Sequence, residues 1–321
     1  MTPSTLIWNR YGKSRIRLVK IRRRSDLHEV VDLTLDIQLE GAFDAVYVDG
    51  TLGLGGHTAA LLAAGAGRVI GLDRDARALE LARLRLQPSG EPGEPGEHVE
   101  FVHADYRTLA AVLRDRQVTG VAGVLVDLGV SSMQLDDASR GFSFRSAGPL
   151  DMRMDTASGR PLSDRLADVD ETALADVIYR FGEERRSRRV ARSILAARDR
   201  GELDSTLALA SAVRRGVGGG WQRLDPATRT FQALRIWVNG ELDGLETFVE
   251  DAVSVLQPGG RLAAIAFHSL EDRIMKHTMR RLAAAGTVTL VTRRPTIPGE
   301  AEIAANPRAR SARLRAVEKV A

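Results

Sequence analysis

From residue 45 onward, short apolar runs alternate with stretches in which apolar positions recur every three or four residues. Ala45-Val46-Tyr47-Val48 predicts a buried strand, and Thr58 to Ala64 predicts the helix after it. Arg68-Val69-Ile70-Gly71-Leu72 predicts a second strand, followed by a helix marked by Ala78, Leu79, Leu81, Ala82 and Leu84. Pro88 to Gly96, built from Pro, Gly and Glu, predicts a flexible connection. Val99-Glu100-Phe101-Val102 and Gly123-Val124-Leu125-Val126 supply two more strands. Strands that alternate with helices are joined by crossovers, which predicts an α/β fold: a mainly parallel sheet with helices on both faces.

That rhythm stops near Leu128. Residues 136–225 are charged and helical in pattern without a clear strand, which predicts an inserted all-helical domain. Near Arg185, the side chains of Arg185, Arg188, Arg189 and Arg192 fall on one helical face and Val190, Ile194 and Ala197 on another. From Thr228, the positions Phe231, Leu234, Val238, Leu242 and Leu245 recur at helical spacing and predict one long helix. The sheet pattern resumes with Leu262-Ala263-Ala264-Ile265-Ala266-Phe267 after an expected turn at Gln257-Pro258-Gly259-Gly260. Val288-Thr289-Leu290-Val291 and Leu314-Arg315-Ala316-Val317 are late strand candidates. The expected organisation is an extension over 1–27, the first part of the α/β domain over 28–135, the helical insert over 136–225 and the second part over 226–321.

Composition narrows the classes. A chain of 321 residues with 44% hydrophobic content is long enough for about two domains with real cores. No apolar run approaches the ~18 residues of a membrane helix. Residues 1–24 hold Arg10, Lys13, Arg15, Arg17, Lys20, Arg22, Arg23 and Arg24 with no acid, and they lack the apolar stretch of a signal peptide. A cytoplasmic protein is expected, its basic start being a disordered arm or a start assigned too far upstream.

Net charge is +4 and the pI is near 9.7. Besides the N-terminal cluster, Arg185, Arg186, Arg188, Arg189 and Arg192 form a second, and Arg308, Arg310, Arg313 and Arg315 a third. Separated basic clusters suit nucleic-acid phosphates; the plain alternative is basic faces solvated by water. The chain has no cysteine, which excludes disulfides, thiolate metal sites and a cysteine nucleophile. The six histidines lack ligand spacing, so no metal is expected.

The candidate chemistry begins at Asp49-Gly50-Thr51-Leu52-Gly53-Leu54-Gly55-Gly56-His57, between the first strand and the first helix. A dinucleotide fingerprint needs G-x-G-x-x-G, and Thr58 occupies the third glycine position. A phosphate loop ends in G-K-[ST], and no lysine is present. A carboxylate ahead of the loop, Asp49, instead suits a ligand with a cationic amino-acid end, such as S-adenosylmethionine. Asp73 ends the second strand, where an acid accepts hydrogen bonds from ribose hydroxyls. Asp75 reads as a solvated or capping acid. Asp105-Tyr106 follows the third strand, placed to hold the adenine, and Asp127 ends the fourth. Open α/β sheets bind ligands at that edge, so the acids argue together for a site.

Longer motifs then carry a resemblance. Tyr47-Val48-Asp49-Gly50-Thr51-Leu52-Gly53, Asp127-Leu128-Gly129-Val130-Ser131-Ser132, Arg140-Gly141-Phe142-Ser143-Phe144 and Pro149-Leu150-Asp151-Met152-Arg153-Met154-Asp155 are distinctive. So are Pro226-Ala227-Thr228-Arg229-Thr230-Phe231-Gln232-Ala233-Leu234-Arg235-Ile236, Phe267-His268-Ser269-Leu270-Glu271-Asp272-Arg273 and Asn306-Pro307-Arg308-Ala309-Arg310-Ser311. In this order they resemble the bacterial ribosomal RNA small-subunit methyltransferase H family, also called MraW, from about residue 28 to the end. The resemblance implies a Rossmann-like class I S-adenosylmethionine-dependent methyltransferase fold with an inserted helical domain. It implies methylation of the exocyclic N4 of a cytidine in the decoding centre of 16S rRNA, on the small subunit or a late assembly particle, by a possible homodimer. Carried over by motif, the cofactor contacts are Gly55, Gly56, His57, Asp73, Tyr106, Asp127 and Gln134.

The chain departs from the family pattern at several positions. His28-Glu29-Val30-Val31 lacks the usual proline, Met133 replaces a proline, Asp225 a histidine and Ala266 a serine. Asp225 thereby puts a negative charge near an expected RNA-facing segment. The missing cysteine closes C5 methylation through a cysteine adduct, leaving direct attack by an exocyclic amine. Asp127 is the candidate acceptor for the amine N–H and hence the candidate catalytic residue. Phe142 and Phe144 are candidates for stacking on the base, with core packing equally open. Arg185, Arg188, Arg189, Arg192, Arg229, Arg235, His268, Arg308 and Arg310 are the candidate RNA contacts. For His268 to Arg273, helix capping through Ser269 and Asp272 is the competing role. Methylation of another RNA or a protein, and a non-enzymatic RNA-binding assembly factor, remain as alternative functions.

Overall fold

The computed structural model describes residues 45–87, 98–219 and 225–321. The expected extension over 1–27, the opening at His28 and the connection Pro88 to Gly96 lie outside the described residues. The described residues divide into two compact units, one formed by those up to Leu128 together with Gly244–Ala321, the other by those within Gly129–Asp243.

The first unit opens with β1 (Val46–Asp49), α1 (Gly56–Ala63), β2 (Arg68–Asp73), α2 (Ala76–Leu86), β3 (Val99–His103), α3 (Leu109–Asp115) and β4 (Val121–Asp127). The second unit follows with α4 (Ser132–Asp136), α5 (Leu162–Asp168), α6 (Glu171–Gly182), α7 (Ser187–Asp199), α8 (Thr206–Val217) and α9 (Ala227–Asn239). The chain then returns to the first unit with α10 (Leu245–Val255), β5 (Leu256–Ala266), α11 (Ser269–Ala284), β6 (Val288–Leu290), α12 (Glu300–Ala305) and β7 (Arg313–Lys319).

Seven strands form one sheet in the order β3-β2-β1-β4-β5-β7-β6. β1 to β5 pair in parallel, and β7 runs antiparallel to both β5 and β6. Successive side chains of a strand point to opposite faces, which builds two cores. On one face Val48, Ile70, Leu72, Val124 and Val126 meet Leu109 and Leu113 of α3, Phe248 of α10 and Met275 of α11. On the other, Tyr47, Val69 and Val99 meet Leu61 of α1 and Leu86 of α2. Strand order reverses direction between β1 and β4, so their carboxyl ends flank the crevice where such sheets take ligands.

Four expectations change. Gln257 to Gly260 is not a turn ahead of a strand but a bulge inside β5, because Val121 pairs with Leu256 and Gly123 with Arg261. The helix from Thr228 stops at Asn239, where Gly240 takes a left-handed φ of 57°, and Leu245 begins the next helix. Leu84, one of the apolar positions that marked α2, is exposed. The α9 segment, expected to belong with the sheet, packs its Phe231, Leu234 and Val238 into the core of the helical unit together with Ile178, Val190, Ile194 and Leu209. The compact boundaries therefore fall at 129 and 243 rather than 136 and 225. Among the described residues, no helix is long and apolar enough to cross a membrane.

Candidate cofactor site and basic surfaces

The loop after β1 is built almost wholly from hydrogen bonds to neighbouring strand ends. Gly50 N–H donates to the Leu125 carbonyl (2.8 Å), Leu52 N–H to the Leu72 carbonyl (2.8 Å) and Gly55 N–H to the Leu52 carbonyl (2.7 Å). Gly53 and Gly55 hold φ of 52° and 74°, left-handed values that side chains resist, which is why this turn needs glycine at both. A Cβ on Gly55 would also lie 2.8 Å from Leu86.

Asp49 is fully buried; its Oδ2 accepts from the Thr58 hydroxyl (2.8 Å) and its Oδ1 from Thr51 N–H (3.2 Å). Burial raises its pKa against the lowering influence of His57 and these hydrogen bonds. Asp49 is thus a brace between β1, the loop and α1. Asp73 accepts from Gly53 N–H (2.7 Å) and Asp75 N–H (2.8 Å). Burial pushes its pKa up to about 6. Asp127 N–H donates to the Thr51 hydroxyl (2.6 Å), tying the end of β4 to the loop. Sequence reasoning passed over Thr51 and Thr58; their spacing of two and nine residues from Asp49 is the signal that marks them.

Asp75 is the N-cap of α2, accepting from Arg77 N–H (3.1 Å), so it is a capping acid and a buried one rather than a solvated one. Asp105 would be raised by burial, but the Arg107 guanidinium (2.6 and 2.8 Å) and backbone hold its carboxyl below the usual range. Tyr106 packs edge-on against Phe248, ring centroids 4.7 Å apart, and stays half-buried beside Gly50. Gly55, Gly56, His57, Asp73, Tyr106 and Asp127 are therefore gathered at one sheet edge. Gln134 belongs to the helical unit, where it closes a capping box: Gln134 N–H donates to Ser131 Oγ (3.2 Å) and Gln134 Oε1 accepts from Ser131 N–H (3.1 Å).

The basic candidates sort by partner. Arg185, Arg188, Arg189 and Arg229 are exposed, and none has a hydrogen bond or ion pair with another described residue. Arg192 is exposed and pairs with Glu171 (2.9 Å). Arg235 is largely buried in a two-pronged pair with Glu241 (2.9 and 2.8 Å), which removes it from the surface set. His268 is the N-cap of α11: its Nδ1 accepts from Glu271 N–H (3.3 Å), and Glu271 Oε2 accepts from His268 N–H (3.3 Å). The cap is thus His268 with Glu271, not Ser269 with Asp272, whose carboxylate instead binds Arg313 (2.9 Å) and buried Arg315 (2.6 Å). Arg310 is exposed and Arg308 half-buried. Phe142 is buried, and half-buried Phe144 packs edge-on to Phe231 at 4.8 Å, the core packing that was the competing role for both.

A sheet of this order, with a glycine loop after β1 braced by the acids ending β1 and β2 and by the backbone at the end of β4, defines a Rossmann-like class I methyltransferase using S-adenosylmethionine. The residues fit that cofactor. The N-terminus of α1 has no side-chain cap, leaving the first-turn N–H groups for a ligand carboxylate. The buried Nε2 of His57 has no partner among the described residues.

Residues 27–320 match the model of the MraW methylase family, and the chain belongs to that family. It is 52% identical over 281 residues to the ribosomal RNA small subunit methyltransferase H of Sorangium cellulosum (strain So ce56), covering 86% of this chain and 85% of that one. It is 49% identical to the protein of the same name from Deinococcus radiodurans (86% and 84% covered) and 48% to that of Nitrobacter winogradskyi (85% and 85%).

Proposed function

We propose that this protein methylates small-subunit ribosomal RNA, at the exocyclic N4 amine of a cytidine in the decoding centre of 16S rRNA. The observation that carries this reading is the loop Asp49–His57, held against Asp73 and Asp127 in a chain half identical to proteins named as small-subunit rRNA methyltransferases. S-adenosylmethionine, when bound, supplies an electrophilic methyl group on its sulfonium. The uncapped start of α1, with Gly55, Gly56 and His57, receives the amino-acid end. Asp73 accepts from the ribose hydroxyls and Tyr106 borders the adenine.

A cytosine amine has its lone pair delocalised into the ring, so it needs help to act as a nucleophile. Asp127 accepts a hydrogen bond from the amine N–H and builds charge on that nitrogen. Alignment of amine and methyl supplies most of the rate. The absence of cysteine supports the amine over ring carbon C5 as the acceptor. Nucleoside mass spectrometry of 16S rRNA from cells with and without the gene tests this. N4-methylated cytidine should vanish from the decoding centre without the gene, and its persistence would sink the assignment.

A further inference from the structure

We infer that the corner of the helical unit where α6 ends and α7 and α9 begin is a docking surface for single-stranded RNA. Tyr179 stacks on a base there, and Arg185, Arg188, Arg189 and Arg229 hold the phosphates. The inference rests on the reading of RNA as substrate and specifies which form of RNA meets which residues.

Two glycines bring the helices together at this corner. A Cβ on Gly182 would lie 2.6 Å from the Arg229 carbonyl oxygen, so the last turn of α6 lies directly on the first turn of α9. Gln232 Nε2, one turn along α9, donates to the Phe181 carbonyl (3.0 Å) and fixes that contact. A Cβ on Gly216 would lie 2.7 Å from Val190 Cα, which seats the end of α8 against α7 just where Arg188 and Arg189 project. Arg185 is three residues beyond Gly182, within about 11 Å even if the chain were fully extended.

The guanidinium groups assembled this way are exposed and have no partners among the described residues, unlike Arg192 on the same helix. Of the acids in the turn, Glu183 is the C-cap of α6, and the buried Glu184 accepts the Arg186 N–H (2.8 Å). Unpaired cations keep their full attraction for phosphate, whereas a paired one must first give up its carboxylate.

Tyr179 stands in the last turn of α6, one turn before Gly182, and is 59% exposed although Leu174, Ala175 and Ile178 of the same helix are buried. An exposed ring one helical turn from the corner that gathers these arginines is a platform for an unstacked base. Bases inside a duplex are already stacked and present no face to it, so the corner selects single-stranded RNA.

The test is equilibrium binding of the full-length protein to a single-stranded 16S rRNA fragment across a salt series. Replacing Arg188, Arg189 and Arg229 together by Ala should lower the slope of log affinity against log salt by about 2, at roughly 0.7 per phosphate released. Tyr179→Ala should weaken binding by about 5- to 100-fold with the slope unchanged. Arg192→Ala should leave the slope as in the wild type. Calorimetric affinity for S-adenosylmethionine should be the same in all variants, confirming their fold. A wild-type slope in the triple variant, wild-type affinity in Tyr179→Ala, or equal competition by a duplex of the same sequence overturns the inference. Failure of the unmodified protein to bind the fragment at any salt overturns the RNA reading with it.

Discussion

The sheet edge of the first unit and the arginine surface of the helical unit treat charge in opposite ways. At the sheet edge Asp49 and Asp73 are buried or nearly so, and backbone N–H groups and hydroxyls already occupy part of their hydrogen-bonding capacity and aim what is left. On the helical unit, arginines of similar spacing divide into exposed and unpaired, exposed and paired, and buried and paired. The first arrangement is preorganised: its donors and acceptors are aimed by the fold and cost little to reorganise when a small ligand binds. The second works through net field and counterion release, which depend on how many cations are free and little on their exact aim.

The sharpest way to break the contrast is to remove an arginine that behaves like the sheet-edge acids. Arg235 and Glu241 are 16% and 6% exposed, so Arg235→Ala leaves a buried carboxylate without its cation. Such a loss costs about 3 kcal/mol, and denaturant unfolding should show it clearly. Stability within 1 kcal/mol of the wild type would mean that Arg235 is in effect another surface arginine, and the three-way sorting would fail.

The next effect lies at Asp73. Asp73→Ala removes the acceptor for the N–H groups of Gly53 in the loop and Asp75 at the start of α2, as well as the expected ribose contact, and cofactor affinity should fall about tenfold or more by calorimetry. A pH series sharpens the point, because burial has pushed Asp73 to about 6. Ribose hydroxyls donate to the charged carboxylate, so binding favours release of its proton. Affinity should therefore be flat above pH 6 and decline by up to tenfold per pH unit below it, while Asp73→Asn should show no such decline. For folding the sign is reversed. A raised folded pKa means that the contribution of Asp73 to stability is fully present below its unfolded value and lost as pH rises through about 6.

The same contrast explains what could be read from the chain alone. The strands were legible because Tyr47 and Val48, Val69 to Leu72 and Val124 to Val126 are buried on both faces and leave continuous apolar runs. Asp73 and Asp127 were legible because a strand end fixes where its last side chain falls. Helix ends were not: Leu242 and Leu245 continue the period of α9, and only the left-handed Gly240 stops it. Arginine partners were equally hidden, since Arg192 and Arg189 share a helix and a residue type. Their difference is a glutamate on α6, twenty-one residues away from Arg192 in sequence. The bracing role of Asp49 was hidden for a related reason, because it depends on Thr58, nine residues on.

The smallest expected effect concerns Asp225, which stands where the resemblance leads one to expect histidine. Its charge does not simply oppose RNA. Asp225 forms a two-pronged pair with Arg214 (2.7 and 3.2 Å) and accepts the Ala227 N–H (2.9 Å) at the start of α9. The Arg214 hydrogen bond holds its carboxyl below the usual range. The pair therefore contributes stability above the unfolded pKa and loses it as pH falls through the folded one. Both partners are substantially exposed, so Asp225→His should cost less than about 1 kcal/mol, a melting decrease of about 1–3 °C. The same change releases Arg214, whose guanidinium carbon already lies 5.8 Å from the Phe144 ring centroid and is held in place by it. A freed arginine should raise the salt slope of RNA binding by about 0.7. If stability falls as expected but the slope does not move, lack of a partner is not enough to make an arginine an RNA contact. Position at the corner formed by α6, α7 and α9 would then be the deciding property.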